Sequence, residues 1–141
     1  MEIKIMLDKS KNAIMPTRAH HADAGLDLYS PVGVYVNPYG EAIVDTGVHI
    51  EIPFGFFGDI RSKSGLLFKE NLFTDGTIDS GYTGPIKVKI INFGEDPYIF
   101  NKGDKIAQMV IQRCELPELV VVEKIATTTE RGSNGFGSTG K

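Results

Sequence analysis

The sequence predicts an all-β fold, a jelly-roll-like barrel or sandwich that carries a flexible, glycine-rich C-terminal arm. Short runs of alternating apolar and polar residues recur along the whole chain. Sixteen glycines and seven prolines are spread among the 141 residues and punctuate those runs. Helix signals are confined to one segment of about two turns. This pattern is typical of short antiparallel strands joined by turns rather than of alternating strands and helices.

The N-terminal half contains five candidate strands. Residues 2–7 alternate, with Ile3 and Ile5 on one face, although Met6 breaks the pattern. Residues 37–40 (NPYG) have the composition of a turn and separate two later candidates. The remaining candidates of this half are residues 33–36, 42–44, 48–52 and 56–60.

The C-terminal half contains the clearest strand, residues 86–92. Ile86, Val88 and Ile90 are expected to point inward, and the two lysines between them outward. Residues 101–104 form a turn before a strand at 106–113, and residues 119–125 are expected to be the last strand. Residues 76–84 resemble a tight hairpin. The one helix candidate is residues 64–70, with Ser64 as its cap.

Composition predicts a single folded domain and excludes several classes of protein. We expect a β domain over residues 1–126 and the arm over residues 127–141. The net charge of −3 and the lack of a basic block argue against nucleic-acid binding. No apolar run is long enough for a membrane span or signal peptide, so a cytoplasmic location is expected. One cysteine, Cys114, excludes an internal disulfide and a cysteine-based zinc site.

Several polar clusters have both a structural and a functional interpretation. Asp27 lies in an apolar run, where it either accepts hydrogen bonds from nearby backbone N–H groups or serves a site. Residues 61–65 (RSKSG) are either a solvated loop or a phosphate site. Residues 76–84 bring Asp79 and Tyr82 close together, and Gln108 is an amide among apolar residues. His20, His21 and His49 lack metal-ligand spacing.

The last eleven residues, RGSNGFGSTGK from Arg131, contain too little apolar surface to form core. A chain end of this composition is either disordered or an arm that orders over a ligand. Arg131, Phe136, two hydroxyl groups and glycine-rich turns suit a planar base and a polyphosphate. Residues 135–141 match only the first part of a Walker A pattern, because the following Ser or Thr and the helix are missing.

These parts together favour water attack on a phosphate. Cations and hydroxyls at residues 61–65 suit phosphate oxygens, and the tail suits a lid. Asp79 is the candidate general base, with Mg²⁺ shared among the phosphate oxygens.

Five segments in order resemble the five motifs of the homotrimeric dUTP pyrophosphatase (dUTPase) family. The resemblance extends over most of the chain, and five ordered motifs are far more specific than one. The segments are AGLDLYS at 24–30, RSKSGL at 61–66, GTIDSGY at 76–82, GDKIAQ at 103–108 and RGSNGFGSTG at 131–140.

The resemblance implies a homotrimer with shared sites that converts dUTP to dUMP and pyrophosphate with Mg²⁺ held by the substrate phosphates. It implies that Asp79 activates the attacking water and that Tyr82 packs against the deoxyribose and excludes a 2′-hydroxyl. It also implies that the tail is lent by a neighbouring chain. The uracil slot would be lined by the backbone around Phe73, Thr77, Ile78 and Lys87. The phosphates would be held by Lys63, Ser64, Gly65 and Gln108, and Asp27 would help to order the water and the phosphate region. The lid would use Arg131, Phe136, Gly137, Ser138 and Thr139.

Three departures from the family pattern are expected to change affinity or loop stability without abolishing the reaction. Lys63 stands where the motif usually has Arg, and a single ammonium replaces a planar fork. Gly81 replaces the second Asp of the third motif, and Thr77 replaces an aliphatic residue. Two alternatives remain open. One is a dCTP deaminase, which shares the fold, and the other is a non-catalytic nucleotide-binding or regulatory trimer.

Overall fold

The computed structural model describes residues 1–137 and 140, and it confirms an almost entirely β architecture. A short 3₁₀ turn, Lys9–Lys11, follows the first strand. The elements in chain order are β1 Lys4–Leu7, β2 Gly25–Tyr29, β3 Val34–Val36, β4 Glu41–Glu51, β5 Phe56–Arg61, α1 Ser64–Glu70, β6 Leu72–Phe73, β7 Asp75–Ile78, β8 Pro85–Asn92, β9 Tyr98–Phe100 and β10 Lys105–Arg113.

The strands form two four-stranded antiparallel sheets and one two-stranded pair. The first sheet has the order β1-β4-β8-β6, the second has the order β2-β10-β5-β7, and β3 pairs with β9. One core contains apolar side chains of both sheets, among them Leu28 and Met109 from the second and Val44 and Ile86 from the first. Of the helices in the described residues, none has the length and apolar character needed to cross a bilayer.

Strand β8 and the helix confirm the sequence predictions most closely. On β8, Ile86, Val88 and Ile90 are buried and both lysines are exposed. The helix covers the predicted residues, but the prediction that Ser64 caps it is wrong. The capping position is Lys63, which makes no side-chain capping bond, and Ser64 is already the first helical residue.

The two strands predicted at 42–44 and 48–52 are one long strand, β4, interrupted by a bulge. Asp45 faces Lys87 on β8 and His49 faces Pro85, so four steps along β4 match only two along β8. Gly47 adopts a φ of 67°, a conformation that favours glycine, and the Asp45 carboxylate accepts a hydrogen bond of 2.9 Å from its N–H. Residues 45–47, which separated the two predicted strands, are therefore part of one continuous strand.

Two further predictions are wrong. Residues 76–84 do not form a hairpin, because β7 pairs with β5 while β8 pairs with β4 and β6. Residues 79–84 instead connect one sheet to the other, and we call them the 79–84 connection. Residues 119–125, all of which the structure describes, form no strand, and Leu119 and Val121 are 91% and 98% exposed. Their run of β-branched apolar residues is strand-like, but no sheet edge among the described residues pairs with them.

Candidate active site

Asp27 is a buried carboxylate at the centre of β2. Its backbone N–H donates to the Thr17 carbonyl at 2.7 Å, which fixes the strand on its outer side. The side chain is only 5% exposed, and it pairs with two ammonium groups, those of Lys63 and Lys105. The Lys105 Nζ lies 2.8 Å from the second carboxylate oxygen. Asp27 is therefore neutralised by lysines, and not by the neighbouring backbone N–H groups that one interpretation of the sequence expected.

The charge state of Asp27 follows from two opposing effects. Burial raises the pKa of the carboxyl, while the hydrogen bonds and charges of Lys105 and Lys63 lower it more, so its pKa lies below the ordinary value. The same contact with Asp27 raises the pKa of Lys105. Asp27 and Lys105 are therefore both ionised at neutral pH.

Gln108 connects this carboxylate to the second motif. It lies on β10, opposite Asp27 on one side and Arg61 on the other. Its amide nitrogen donates to the Ser62 carbonyl at 3.0 Å. Gly25 makes room for it, because a Cβ at that position would lie 2.2 Å from the Gln108 amide oxygen. We call Asp27, Ser62, Lys63, Lys105 and Gln108 the Asp27 cluster.

An open cleft of about 610 Å³ lies beside the Asp27 cluster. Arg61, Ser62, Ser64, Phe73 and Gln108 are among the residues that line it. Ser64 and Gly65 are exposed at the start of α1. The cleft thus presents one guanidinium, three hydroxyls and an amide, which are groups that bind phosphate oxygens, together with the carboxylate of Asp75. Lys105 had no role in the sequence predictions, and only the β2–β10 register reveals its position beside Asp27.

The 79–84 connection carries Asp79, the predicted general base, and Tyr82, the predicted sugar contact. Asp79 is exposed just beyond the end of β7, and Tyr82 is 42% exposed. The Tyr82 hydroxyl donates to the Pro85 carbonyl at 2.9 Å, and the Tyr82 N–H donates to the Asp79 carbonyl at 3.2 Å. Gly81 between them has a φ of 86°. Asp79 and Tyr82 therefore share one tight turn.

The residues predicted to line a base slot lie on three strands. Thr77 and Ile78 are the last residues of β7 and face Asp59 and Gly58 of β5. Lys87 is exposed on β8, and Phe73 on β6 is 39% exposed. Within residues 1–137 and 140, no side-chain hydrogen bond or ion pair joins the Asp27 cluster to the 79–84 connection.

The tail lies outside both groups. Phe136 is fully exposed with a φ of 52°, and Arg131 donates from Nε to the Asn134 carbonyl at 2.9 Å within the tail itself. Gly137 is exposed with a φ of 89°. Ser138 and Thr139, the two predicted phosphate-binding hydroxyls, lie outside the described residues. In the described chain, the predicted site residues therefore form three separate pieces. These are the Asp27 cluster with its cleft, the 79–84 connection with the slot residues, and the tail.

The sequence of this chain is similar to known sequences of one enzyme family. The dUTPase family model matches residues 11–140. A deoxyuridine 5′-triphosphate nucleotidohydrolase of Mycolicibacterium gilvum is 46% identical over 134 residues, which cover 89% of this chain and 87% of that protein. The enzyme of the same name from Clostridium kluyveri is 44% identical over 135 residues, or 93% of each chain.

Solved structures show the same relationship. A Staphylococcus bacteriophage 80alpha dUTPase with dUPNHPP is 35% identical and has a TM-score of 0.92, with 99% of each chain covered. A mutant dUTPase of phage phi11 of S. aureus, described for its coordination of a structural Mg(II) ion, is 32% identical with a TM-score of 0.81 over 88% of this chain and 98% of that one. Because the family model and these relatives extend over nearly the whole chain, the chain belongs to the dUTPase family.

Proposed function

We propose that this chain hydrolyses dUTP to dUMP and pyrophosphate. The observation that carries the proposal is the cleft beside the Asp27 cluster, where cations, hydroxyls and an amide converge in a chain of the dUTPase family. The structural likeness to a phage dUTPase with dUPNHPP supports a nucleoside triphosphate as the ligand. Such an activity would limit uracil incorporation into DNA and supply dUMP for thymidylate synthesis. We therefore also propose a cytoplasmic location, where that nucleotide pool is used.

The phosphate side of the proposed site is the cleft. Lys63, Ser64, Gly65 and Gln108 would hold the phosphate oxygens, and Arg61 would supply the planar fork that Lys63 lacks. Asp27 holds the Lys63 ammonium in place beside the cleft. An ammonium held by a buried carboxylate loses little conformational freedom when phosphate binds, because its position is already set.

The reaction would proceed by water attack on the α-phosphorus. Asp79 accepts a proton from the water as its oxygen bonds to phosphorus, and the bond from phosphorus to the bridging oxygen breaks. The electron pair leaves on pyrophosphate, and dUMP remains. Asp79 suits this role because its carboxylate is exposed at the end of a strand and is free to reach a bound water.

The base side would combine a slot, a sugar contact and a lid. Tyr82 would pack on the deoxyribose, and its hydroxyl is already engaged with the Pro85 carbonyl. Because the hydroxyl is engaged, the flat ring would be the part of Tyr82 that meets the sugar, which suits exclusion of a 2′-hydroxyl. The slot residues would be Phe73, Thr77, Ile78 and Lys87, and the lid residues would be Arg131, Phe136, Gly137, Ser138 and Thr139.

Mg²⁺ is the proposed cofactor, held by the triphosphate. The described residues contain no cluster of three or more His, Cys, Asp or Glu side chains placed to hold a metal ion. Asp27 is committed to two lysines. The substrate oxygens are therefore the donors that suit Mg²⁺, which prefers phosphate and water ligands. Bound there, the ion neutralises phosphate charge.

We propose a homotrimer in which residues 127–141 of one chain close over a site of its neighbour. The three separate pieces of the site support this, because a single chain does not bring them together among its described residues. The exposed apolar side chains of Leu119, Val121 and Ile125 support a subunit contact before the arm. Sedimentation of the full chain should give about three times the monomer mass.

The decisive assay is pyrophosphate release from dUTP, dTTP, dCTP and UTP with Mg²⁺. We expect efficient turnover of dUTP alone, whereas deaminated product from dCTP would favour the deaminase alternative. Asp79→Asn should lower turnover by at least ~10²-fold while dUTP still binds, as expected for loss of a general base. Unchanged turnover would remove Asp79 from the mechanism, and binding without turnover by the wild type would favour the non-catalytic alternative.

A further inference from the structure

The 79–84 connection needs restraint that its own sequence does not provide. It crosses between the two sheets, and it contains Gly81 and Gly84. Gly81 has a φ of 86°, and a glycine in a turn loses more backbone freedom on ordering than any other residue. The internal bond from the Tyr82 N–H to the Asp79 carbonyl is long, at 3.2 Å. A turn that holds Asp79 and Tyr82 in place therefore depends on contacts with a more rigid element.

His49 supplies such a contact from β4. Its ring Nδ1 lies 2.8 Å from the Thr83 carbonyl oxygen, in the middle of the connection. Because a carbonyl only accepts, Nδ1 must carry the hydrogen and donate it. The bond forms with either a neutral Nδ1–H ring or a protonated ring.

The bulge in β4 determines where His49 lies. Beyond the bulge, His49 faces Pro85, the first residue of β8, and on its other side it faces Met6 of β1. The bulge is held by a Lys11–Asp45 ion pair and by Thr46, whose buried hydroxyl donates to the Ile86 carbonyl at 2.7 Å. A bulge of this kind re-aims a side chain. Here it sets His49 on an inner strand, paired on both sides, next to the connection.

We propose that His49 is a positioning residue for the proposed reaction: by donating from Nδ1 to the Thr83 carbonyl it fixes the turn that holds Asp79 and Tyr82. The inference rests on the proposed function and adds a residue outside the five motifs. It also offers a physical reason why Gly81 is tolerated, since a bond from the sheet restrains the turn where a side chain of its own does not.

Two nearly isosteric variants test the role of the donor. In His49→Asn the amide nitrogen occupies the position of Nδ1, two bonds from Cβ, and keeps a donor. In His49→Leu the shape is similar and the donor is lost. We expect kcat/KM for dUTP to fall by about 2- to 12-fold in His49→Leu, the change that corresponds to one hydrogen bond, and to stay within about 2-fold of the wild type in His49→Asn.

The ratio of kcat/KM for dUTP to that for UTP separates positioning from general stability. A loss of folded protein lowers both values equally and leaves the ratio unchanged. A displaced Tyr82 ring admits a 2′-hydroxyl, so the ratio should fall in His49→Leu and recover in His49→Asn. An unchanged ratio in a folded His49→Leu protein would overturn the inference. Absence of dUTP turnover in the wild type would instead refute the proposed function.

A measurement on the wild type covers the case in which His49→Leu does not fold. Long-range ¹H–¹⁵N correlation spectra distinguish the two neutral tautomers of a histidine ring. We expect the neutral His49 ring to be the Nδ1–H tautomer. Finding the Nε2–H tautomer would remove the donor and overturn the proposal without any variant.

Discussion

Asp27→Asn is expected to destabilise the fold by about 2 kcal/mol at pH 7, which lies between two limits. An exposed ion pair contributes at most about 1 kcal/mol, and removing one partner of a fully buried pair costs about 3–5 kcal/mol. The Asp27 side chain is 5% exposed, but those of Lys63 and Lys105 are 29% and 41% exposed, so both ammonium groups can regain water. The cost should therefore fall below the buried limit and above the surface one.

The pH dependence gives the sharper test of this reasoning. Because the pKa of Asp27 is lowered in the folded chain, its stabilising contribution is fully present above the unfolded-state pKa of about 3.9 and is lost as pH falls through the lower folded value. Urea unfolding followed by circular dichroism at pH 7 and pH 3, at one protein concentration, should show a smaller difference between wild type and variant at pH 3.

Glu51→Gln is the matched control. Its carboxylate pairs with Lys4 at 3.3 Å, but the two side chains are 68% and 81% exposed, so the loss should stay below about 0.5 kcal/mol. If Asp27→Asn costs no more than this control, or costs the same at both pH values, the Asp27 cluster is not the buried charged unit described above.

Three further perturbations test other parts of the structure. Gly25→Ala places a Cβ 2.2 Å from the Gln108 amide oxygen, so the end of the Gln108 side chain must shift from the position in which it donates to the Ser62 carbonyl. We expect the KM for dUTP to rise about 10-fold, and an unchanged KM would mean that substrate binding does not need Gln108 in that position. Thr46→Val removes a buried donor to the Ile86 carbonyl and should cost about 1–3 kcal/mol in urea unfolding; a smaller loss would mean that the bulge does not need this bond. Deleting residues 131–141 should lower turnover by at least ~10²-fold without changing the unfolding midpoint, and surviving activity would refute the lid.

The sequence predicts the fold best where the local pattern and the tertiary environment agree. Strand β8 alternates between buried isoleucine or valine and exposed lysine, so its boundaries and its inward face follow from period alone. The course of strand β4 does not follow from its sequence period, because a bulge depends on how two strands pair and cannot be recognised in the sequence of one strand. Residues 119–125 are rich in β-branched apolar residues, as β8 is, yet a strand also needs a partner edge, which local sequence cannot supply.

The residues of the candidate site likewise fall into those that local sequence predicts and those that depend on how distant strands pair. Residues within one motif, such as Asp79 and Tyr82, are found close together because a tight turn keeps neighbours together. The pairing of Asp27 with Lys105 depends on the register between β2 and β10, which no local pattern encodes. His49 was expected only as a strand residue, since a single histidine outside a motif gives no chemical signal. Its contact with Thr83 exists only because β4 and the 79–84 connection meet.

The exposure of the tail has a consequence for how such a protein can change. Residues 127–137 are exposed apart from a half-buried Gly135, so their side chains add little to the free energy that holds the barrel together. In most enzymes, substitutions that tune a site are also paid for in stability. Here the proposed lid makes few contacts with the core. Substitutions in the tail can therefore change turnover while the free energy of unfolding of the barrel stays the same.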